Sequence, residues 1–250
     1  MRLIILAAGK GERLYPLTQE TPKSLLEIGH GRTVLDWQLE AADAAGIEEI
    51  FIVTGNLSEQ IERKLSELPP PRPQVIYNPY FDVSNNLHSL WMARWVIQDH
   101  DVLVLNGDTV VNPRIVKDLA TQEAPLVMTI DRKPKYDEDD MKAIIENNYV
   151  LEVSKKIPTK LCNAESVGLI KFSRNGARQL LETLDRMVRK EDSRHEFWLA
   201  AIQALIDSGQ QCRYMECSKD DWAEIDFHVD LQTVRHKVQH QSRLIAGWQG

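Results

Sequence analysis

The sequence predicts an α/β protein built on a mixed, mostly parallel sheet flanked by helices, and three observations carry that prediction. Apolar runs alternate with amphipathic stretches through the first half of the chain, the pattern of strands joined by crossover helices. The first run, residues 3–6, is continuously apolar, as suits a strand buried on both faces. It leads directly into a glycine-rich turn, the position at which open α/β sheets bind ligands.

Residues 3–6 are strand one, and a long loop covers about 7–32. Residues 34–45 have helical periodicity, with Val34, Leu35, Leu39 and Ala42 on one stripe, and the helix stops at Gly46. Strand two follows at 49–53. Residues 58–68 form an amphipathic helix closed by Pro69-Pro70-Pro71, and 74–77 a short third strand. A helix at 86–97 precedes a core strand at 102–105 that ends in Asn106-Gly107-Asp108. Asn112 caps the next helix, with Pro113 at its first position, and 126–130 is a further strand. Beyond it the alternation loosens. A charged loop, 131–140, precedes two antiparallel strands near 143–145 and 150–153, and then a strand at 166–172. Helices at 175–189 and 196–208, a strand at 213–216, the segment 222–226 and a terminal helix complete the reading. No flexible linker divides the chain, so residues 1–250 read as one domain. Its first half, about 1–130, binds nucleotide, and about 131–240 recognises a second substrate.

With 250 residues, 43% of them hydrophobic, the chain can bury a sizeable core. A formal net charge of −7 disfavours a broad nucleic-acid-binding surface. An anionic small molecule needs only local positive charge, which Lys10, Arg13 and Lys23 supply. No apolar run approaches the roughly 20 residues that cross a bilayer, and the first lacks the cleavage site of a signal peptide. The expectation is a cytoplasmic protein without membrane insertion. Cys162, Cys212 and Cys217 match no common zinc spacing and read as reduced, structural thiols.

In the turn after strand one, Gly9 and Gly11 let backbone amides approach an anion closely, and Arg13 and Lys23 add fixed positive charge. A P-loop is excluded because Gly9-Lys10 is followed by Gly11, without the required Ser or Thr, and Pro16 interrupts any early helix. A dinucleotide fingerprint is excluded by Leu14, which stands where a third small residue is needed.

Residues 6–23, LAAGKGERLYPLTQETPK, resemble the signature of the nucleotidyltransferases that activate sugar phosphates and alcohol phosphates. The resemblance implies a Rossmann-like fold in which Leu6, Ala7 and Ala8 border the base and ribose. Gly9, Gly11 and Arg13 would cradle the triphosphate, and Lys23 would reach its phosphates. Asp108, at a strand's carboxyl end, is a natural Mg2+ position, since magnesium takes one or two protein carboxylates together with phosphates and waters. A late aspartate after a short strand is the family's usual partner for it, and Asp226 matches. Arg13, Lys23, Asp108 and Asp226 would form the catalytic set. The implied chemistry is in-line attack by a substrate phosphate or phosphonate oxygen on the α-phosphorus of the triphosphate. A phosphomonoester is largely ionised above its second pKa of about 6, so a general base is unnecessary.

Within the family the layout most resembles the short cytidylyltransferases acting on phosphocholine, related alcohol phosphates or aminoalkylphosphonates. The carrying residues are Asn85, Asn86 and Ser89, the stretch 137–142, Lys155-Lys156, residues 167–169 and residues 222–226. Asn85, Asn86 and Ser89 either hydrogen-bond the pyrimidine nucleotide or cap the following helix. Lys155 would contact the acceptor phosphate, and Trp222 with Glu224 would wall a quaternary ammonium group by cation–π attraction and charge. The acidic run 137–140 reads as a solvated loop or as a face toward such a cation, and Trp198 as core packing. The expected partners are therefore CTP and a small phosphorylated metabolite, with homo-oligomer formation left open. Two readings compete. A sugar-1-phosphate uridylyl- or thymidylyltransferase shares the first motif, and a catalytically idle nucleotide-binding regulatory domain would need neither Asp108 nor Asp226. A glycosyltransferase would carry Asp-x-Asp where Asn106-Gly107-Asp108 stands.

Overall fold

The computed structural model describes residues 1–239. The ends assigned to the single domain, residue 250, and to its second half, residue 240, lie outside the described residues. In chain order the strands are β1 (Arg2–Ala7), β2 (Glu27–Gly29), β3 (Arg32–Thr33), β4 (Glu49–Thr54), β5 (Gln74–Tyr77), β6 (Val102–Asn106), β7 (Thr109–Val111), β8 (Leu126–Asp131), β9 (Lys142–Glu146), β10 (Tyr149–Ser154), β11 (Ala164–Phe172), β12 (Cys212–Cys217) and β13 (Trp222–Glu224). The α-helices are α1 (Leu17–Glu20), α2 (Val34–Ala44), α3 (Ser58–Ser66), α4 (Asn86–Met92), α5 (Arg94–Ile97), α6 (Pro113–Ala120), α7 (Arg174–Met187), α8 (Leu199–Asp207) and α9 (His228–Gln239).

Nine strands form one sheet in the order β5-β4-β1-β6-β11-β8-β12-β10-β9. The expected parallel arrangement holds from β5 through β4 and β1 to β6, and again between β8 and β12. It fails elsewhere. Strand β11 runs antiparallel to both β6 and β8, and β10 antiparallel to β12 and β9. The sheet is mixed, as expected, and the β9–β10 pair is the antiparallel one the sequence predicts, but with as many antiparallel as parallel neighbours along its order the sheet is not mostly parallel. Part of the reason is local: only Asn147 and Asn148 separate β9 from β10, both with left-handed φ values of 50° and 69°. A two-residue turn of this kind joins only antiparallel neighbours.

Successive strand residues point to opposite faces and bury two cores. Ile4, Leu6 and Val104 pack against Leu87 and Leu90 of α4, Leu180 of α7 and Ile202 of α8. Leu3, Ile5, Leu103 and Leu105 pack against Leu35 of α2, Ile61 of α3 and Val116 of α6. The long helix expected at 86–97 is two helices meeting at Ala93. The one expected from 196 begins at Leu199, preceded by a 3-10 turn at Glu191–His195. Inside the expected loop lie α1, the β2–β3 hairpin and 3-10 turns at Glu12–Leu14 and Lys23–Leu25.

Candidate active site

Three chain segments meet at the carboxyl edge of the parallel strands. The glycine-rich turn leaves β1, and Asn106-Gly107-Asp108 leaves β6 beside it, with the Gly107 amide donating to the Leu6 carbonyl at 3.0 Å. A Cβ on Gly107 would stand 2.6 Å from that oxygen and 2.8 Å from Ala7 Cα, so the approach requires glycine. Gly11 adopts φ 67°, and Thr18 Oγ1 donates to its carbonyl at 2.7 Å, fixing the turn. The third segment is β13, which pairs antiparallel with β7 so that Glu224 lies opposite Thr109. The Ile225 amide then donates to the Asp108 carbonyl at 3.1 Å, bringing Asp226 to Asp108 across more than 100 residues of sequence.

Lys23 joins the segments electrostatically. Its Nζ lies 2.7 Å from Asp108 Oδ2 and 2.7 Å from Asp226 Oδ1, while Arg13 Nη1 lies 3.2 Å from Asp226 Oδ2. Burial works against the Lys23 charge, but the two carboxylates outweigh it and hold its pKa well above the usual lysine value. Burial alone would likewise raise Asp226; the Lys23 ammonium, with help from Arg13, holds it below the ordinary carboxylate range. At Glu224 burial together with the charges of Asp108 and Asp226 outweighs the opposing pull of Lys23 and Lys155 and pushes its pKa well up.

Carboxylate oxygens of Asp108, Glu224 and Asp226 all lie within 4.8 Å of one another. Asp108 Oδ1 is buried and makes no hydrogen bond. A hard-oxygen donor set with a spare buried lone pair fits a divalent cation such as Mg2+. Glu224 thereby joins the two aspartates as a candidate ligand.

Around this centre opens a cleft of about 810 Å³. Its lining includes Leu6, Ala7, Ala8, Gly9, Gly11, Arg13 and Lys23 from the first motif, and Asn85, Asn86 and Ser89 from the start of α4. Of the two readings of these last residues, helix capping is seen at Asn85. The Asn85 carbonyl oxygen caps α4 by accepting from the Asn86 amide at 2.8 Å, while Asn86 Oδ1 accepts from the Trp198 amide at 2.8 Å. Ser89 Oγ accepts from Asn78 Nδ2 at 3.1 Å. A smaller cavity of about 120 Å³ shares Leu6, Arg13, Asn86, Gly107, Asp108 and Asp226 with the cleft and continues to Lys155 and Glu224. Lys155 lines it and Lys156 does not.

Trp222 lines neither space, which corrects its assignment to an aromatic wall. Its indole N–H donates to Asp131 Oδ2 at 2.9 Å and its ring packs against the core that contains Cys217. The aromatic ring in the smaller cavity is Phe197, with the Lys155 ammonium 4.8 Å from its centroid. Sequence reading missed Phe197, which stands in no recognisable motif; Asp139, from the acidic run 137–140 read as a solvated loop or a face toward a cation, lines the same cavity. Trp198, read as core, is fully buried, and its indole N–H donates to Asn106 Oδ1 at 2.9 Å. Arg194 and His195, also unforeseen, line the larger cleft from the 3-10 turn, where Asn85 holds them: its amide donates to the Arg194 carbonyl at 2.6 Å. Asp82, likewise unforeseen, pairs with Lys10 and ties the glycine turn to the Phe81–Asp82 side of the cleft.

An α/β sheet whose strand ends gather a glycine-rich turn, a buried lysine and three carboxylates around one cleft defines a nucleotide-handling transferase. The family model for nucleotidyl transferase matches residues 2–148, more than half the chain, and the chain belongs to that family. It is 28% identical over 254 aligned positions to CTP:phosphoglutamine cytidylyltransferase of Campylobacter jejuni, covering 93% of this chain and 98% of that protein. It is 38% identical over 115 residues to a choline-phosphate cytidylyltransferase of Haemophilus influenzae, a match spanning 46% of this chain and about half of that one, 47%. The fold superposes on the CTP:phosphocholine cytidylyltransferase of Streptococcus pneumoniae with a TM-score of 0.79 at 20% identity, over 95% of this chain and 98% of that one. Among the described residues no helix is long and apolar enough to cross a membrane.

Proposed function

We propose that the protein couples CTP to a small phosphorylated acceptor in the presence of Mg2+ and releases pyrophosphate. The observation that carries this reading is the continuity of a large cleft and a small cavity through Arg13, Asp108 and Asp226, with the Lys23 ammonium at the junction. Two substrates entering by the two spaces would meet at that point. The large cleft, with the Gly9–Gly11 turn, is the nucleotide's side; the small one, with Lys155, is the acceptor's.

A phosphate oxygen of the acceptor attacks the α-phosphorus, the bond from that phosphorus to the β-phosphate's bridging oxygen breaks, and pyrophosphate leaves with the electron pair. Arg13 and Lys23 neutralise the triphosphate, Lys155 orients the attacking phosphate, and no side chain needs to remove a proton. Asp108 and Asp226, with Glu224, would hold Mg2+, which supplies further charge neutralisation. The aspartates are presented on strand ends tied together by the Ile225 amide, so their positions are set before substrate arrives. The same reading makes the protein a cytoplasmic, single-domain enzyme with the nucleotide half at about 1–130.

CTP is favoured because the relatives named above use it by name. For the acceptor, phosphocholine suits the Phe197 ring. A second reading, a phosphorylated amino acid such as phosphoglutamine, is favoured by the mixed charge of the small cavity, where Asp139 and Glu224 face Lys155 and Arg13. Pyrophosphate release with Mg2+ tests all of these, using CTP, UTP and dTTP against phosphocholine, phosphoglutamine, 2-aminoethylphosphonate and hexose 1-phosphates. Turnover with CTP and a nitrogen-bearing acceptor supports the proposal. Preference for UTP or dTTP with a sugar phosphate replaces it with the uridylyl- or thymidylyltransferase reading. No turnover with any pair leaves a nucleotide-binding regulatory domain.

A further inference from the structure

Lys142 is fully buried, yet its ammonium faces no carboxylate among its hydrogen-bond partners. Nζ donates to the carbonyl oxygens of Asp137 at 3.2 Å, Glu138 at 2.9 Å and Asp140 at 3.4 Å. Burying an ammonium group is costly, and a methionine would fill the same volume without that penalty. What the charge adds is the shape of the loop that it gathers. The loop is secured a second time from the other side, where Lys133 Nζ bridges Asp140 Oδ2 and Glu165 Oε2 at 2.8 Å each. Asp140 Oδ2 also accepts from the Asp137 amide at 2.6 Å. These anchors hold positions 137, 138 and 140, and the remaining one, Asp139, presents its carboxylate to the small cavity. There it lies 4.0 Å from Arg13 Nη1, beside Glu224 and the Phe197 ring.

We infer that Lys142 is a positioning residue which fixes the loop so that Asp139 selects acceptors bearing a positive charge. The inference rests on the cytidylyltransferase reading and deepens it by assigning the charge class of the acceptor. Asp139 supplies the negative charge, and the Phe197 face supplies a surface on which a cation already rests in the form of the Lys155 ammonium. A cationic acceptor gains from these groups, whereas a neutral alcohol phosphate has no positive group to set against Asp139.

The test compares the unaltered protein with Asp139→Asn and Lys142→Met by steady-state kinetics at saturating CTP and Mg2+, using phosphocholine and glycerol 3-phosphate as acceptors. Asp139 is exposed enough that its amide variant should fold normally even if Lys142→Met does not. In Asp139→Asn, KM for phosphocholine should rise about tenfold, the loss expected for one charge-assisted contact. KM for glycerol 3-phosphate should stay level or fall, and KM for CTP should remain within about twofold. Lys142→Met should shift the two acceptors in the same directions, a split that general loss of structure would not produce. Equal effects on both acceptors, or an equal rise in KM for CTP, would overturn the inference while leaving the cytidylyltransferase reading standing. No pyrophosphate release by the unaltered protein with any acceptor would overturn that reading and this inference with it.

Discussion

The Lys23 ammonium lies 2.7 Å from Asp108 Oδ2, closing a distance of 85 residues between the end of the glycine-rich motif and the end of β6. The contact joins the glycine-rich side of the cleft to its carboxylates. Several consequences can be measured.

Removing that ammonium leaves three carboxylates facing one another. Lys23→Met should lower unfolding free energy by about 3 kcal/mol, the usual cost of breaking a partly buried ion pair from one side. In urea titrations without divalent metal the midpoint should fall, and Mg2+ should restore more stability to the variant than to the unaltered protein. An unchanged midpoint would mean that the pair is solvated.

Asp108→Asn keeps the size of the side chain and removes its charge. The fold should survive, because the Asp108 backbone carbonyl still accepts from Ile225. Turnover should fall at least about 100-fold. Circular dichroism with pyrophosphate release separates these effects, and near-normal turnover in Mg2+ would remove Asp108 from the metal site.

Trp222→Phe should retain most packing while losing the hydrogen bond to Asp131. A stability loss of about 1 kcal/mol is expected, with acceptor KM unchanged within about twofold. A selective rise in KM for a choline-bearing acceptor would return Trp222 to the acceptor wall.

Glu165 gives the protein a pH signature away from the cleft. Burial raises its pKa to about 7 against the opposing pull of Lys133. Below about 4.5 both folded and unfolded states hold this proton. Between about 4.5 and 7 only the folded state does, so the group's contribution to stability falls as pH rises through that window and levels off above it, by about 3 kcal/mol in all. Glu165→Gln should therefore flatten the stability profile between pH 5 and 7 relative to the unaltered protein. Parallel profiles for the two would show an ordinary carboxylate.

Gly107→Ala tests the close approach of β6 to β1. Its Cβ would meet the Leu6 carbonyl and Ala7 Cα, both backbone atoms, so stability should fall by about 2 kcal/mol or more. An unaffected midpoint in urea would mean that the two strand ends separate freely.

The candidate site was legible wherever chemistry and local pattern coincide. Gly9, Gly11 and Arg13 follow a buried strand within a few residues, and Asp108 follows another, so strand periodicity places them at one edge, to which Lys23 comes from further along the chain. Trp222 shows where such reasoning stops. With Glu224 it stands next to the proposed metal ligand Asp226 in sequence, which suggested a shared wall. Two residues of strand span about 6.5 Å, and over that distance the indole meets Asp131 and the core instead of the cavity. Nothing near Trp222 in sequence announces Asp131 as its partner.

By itself the sequence determined the α/β class, the order of most elements, and the glycine-rich turn and Asp108 beyond buried strands, because each depends on residues close together in the chain. The tertiary structure alone decided which strands besides β9 and β10 run antiparallel, the meeting of Glu224 with the two aspartates, and the entry of Arg194 and Phe197 into the walls of the site. Those outcomes depend on which strand inserts beside which and on which loops then meet, as when β11 enters between β6 and β8. Contacts of that kind are selected by the packing of the whole core, and no short stretch of residues encodes them.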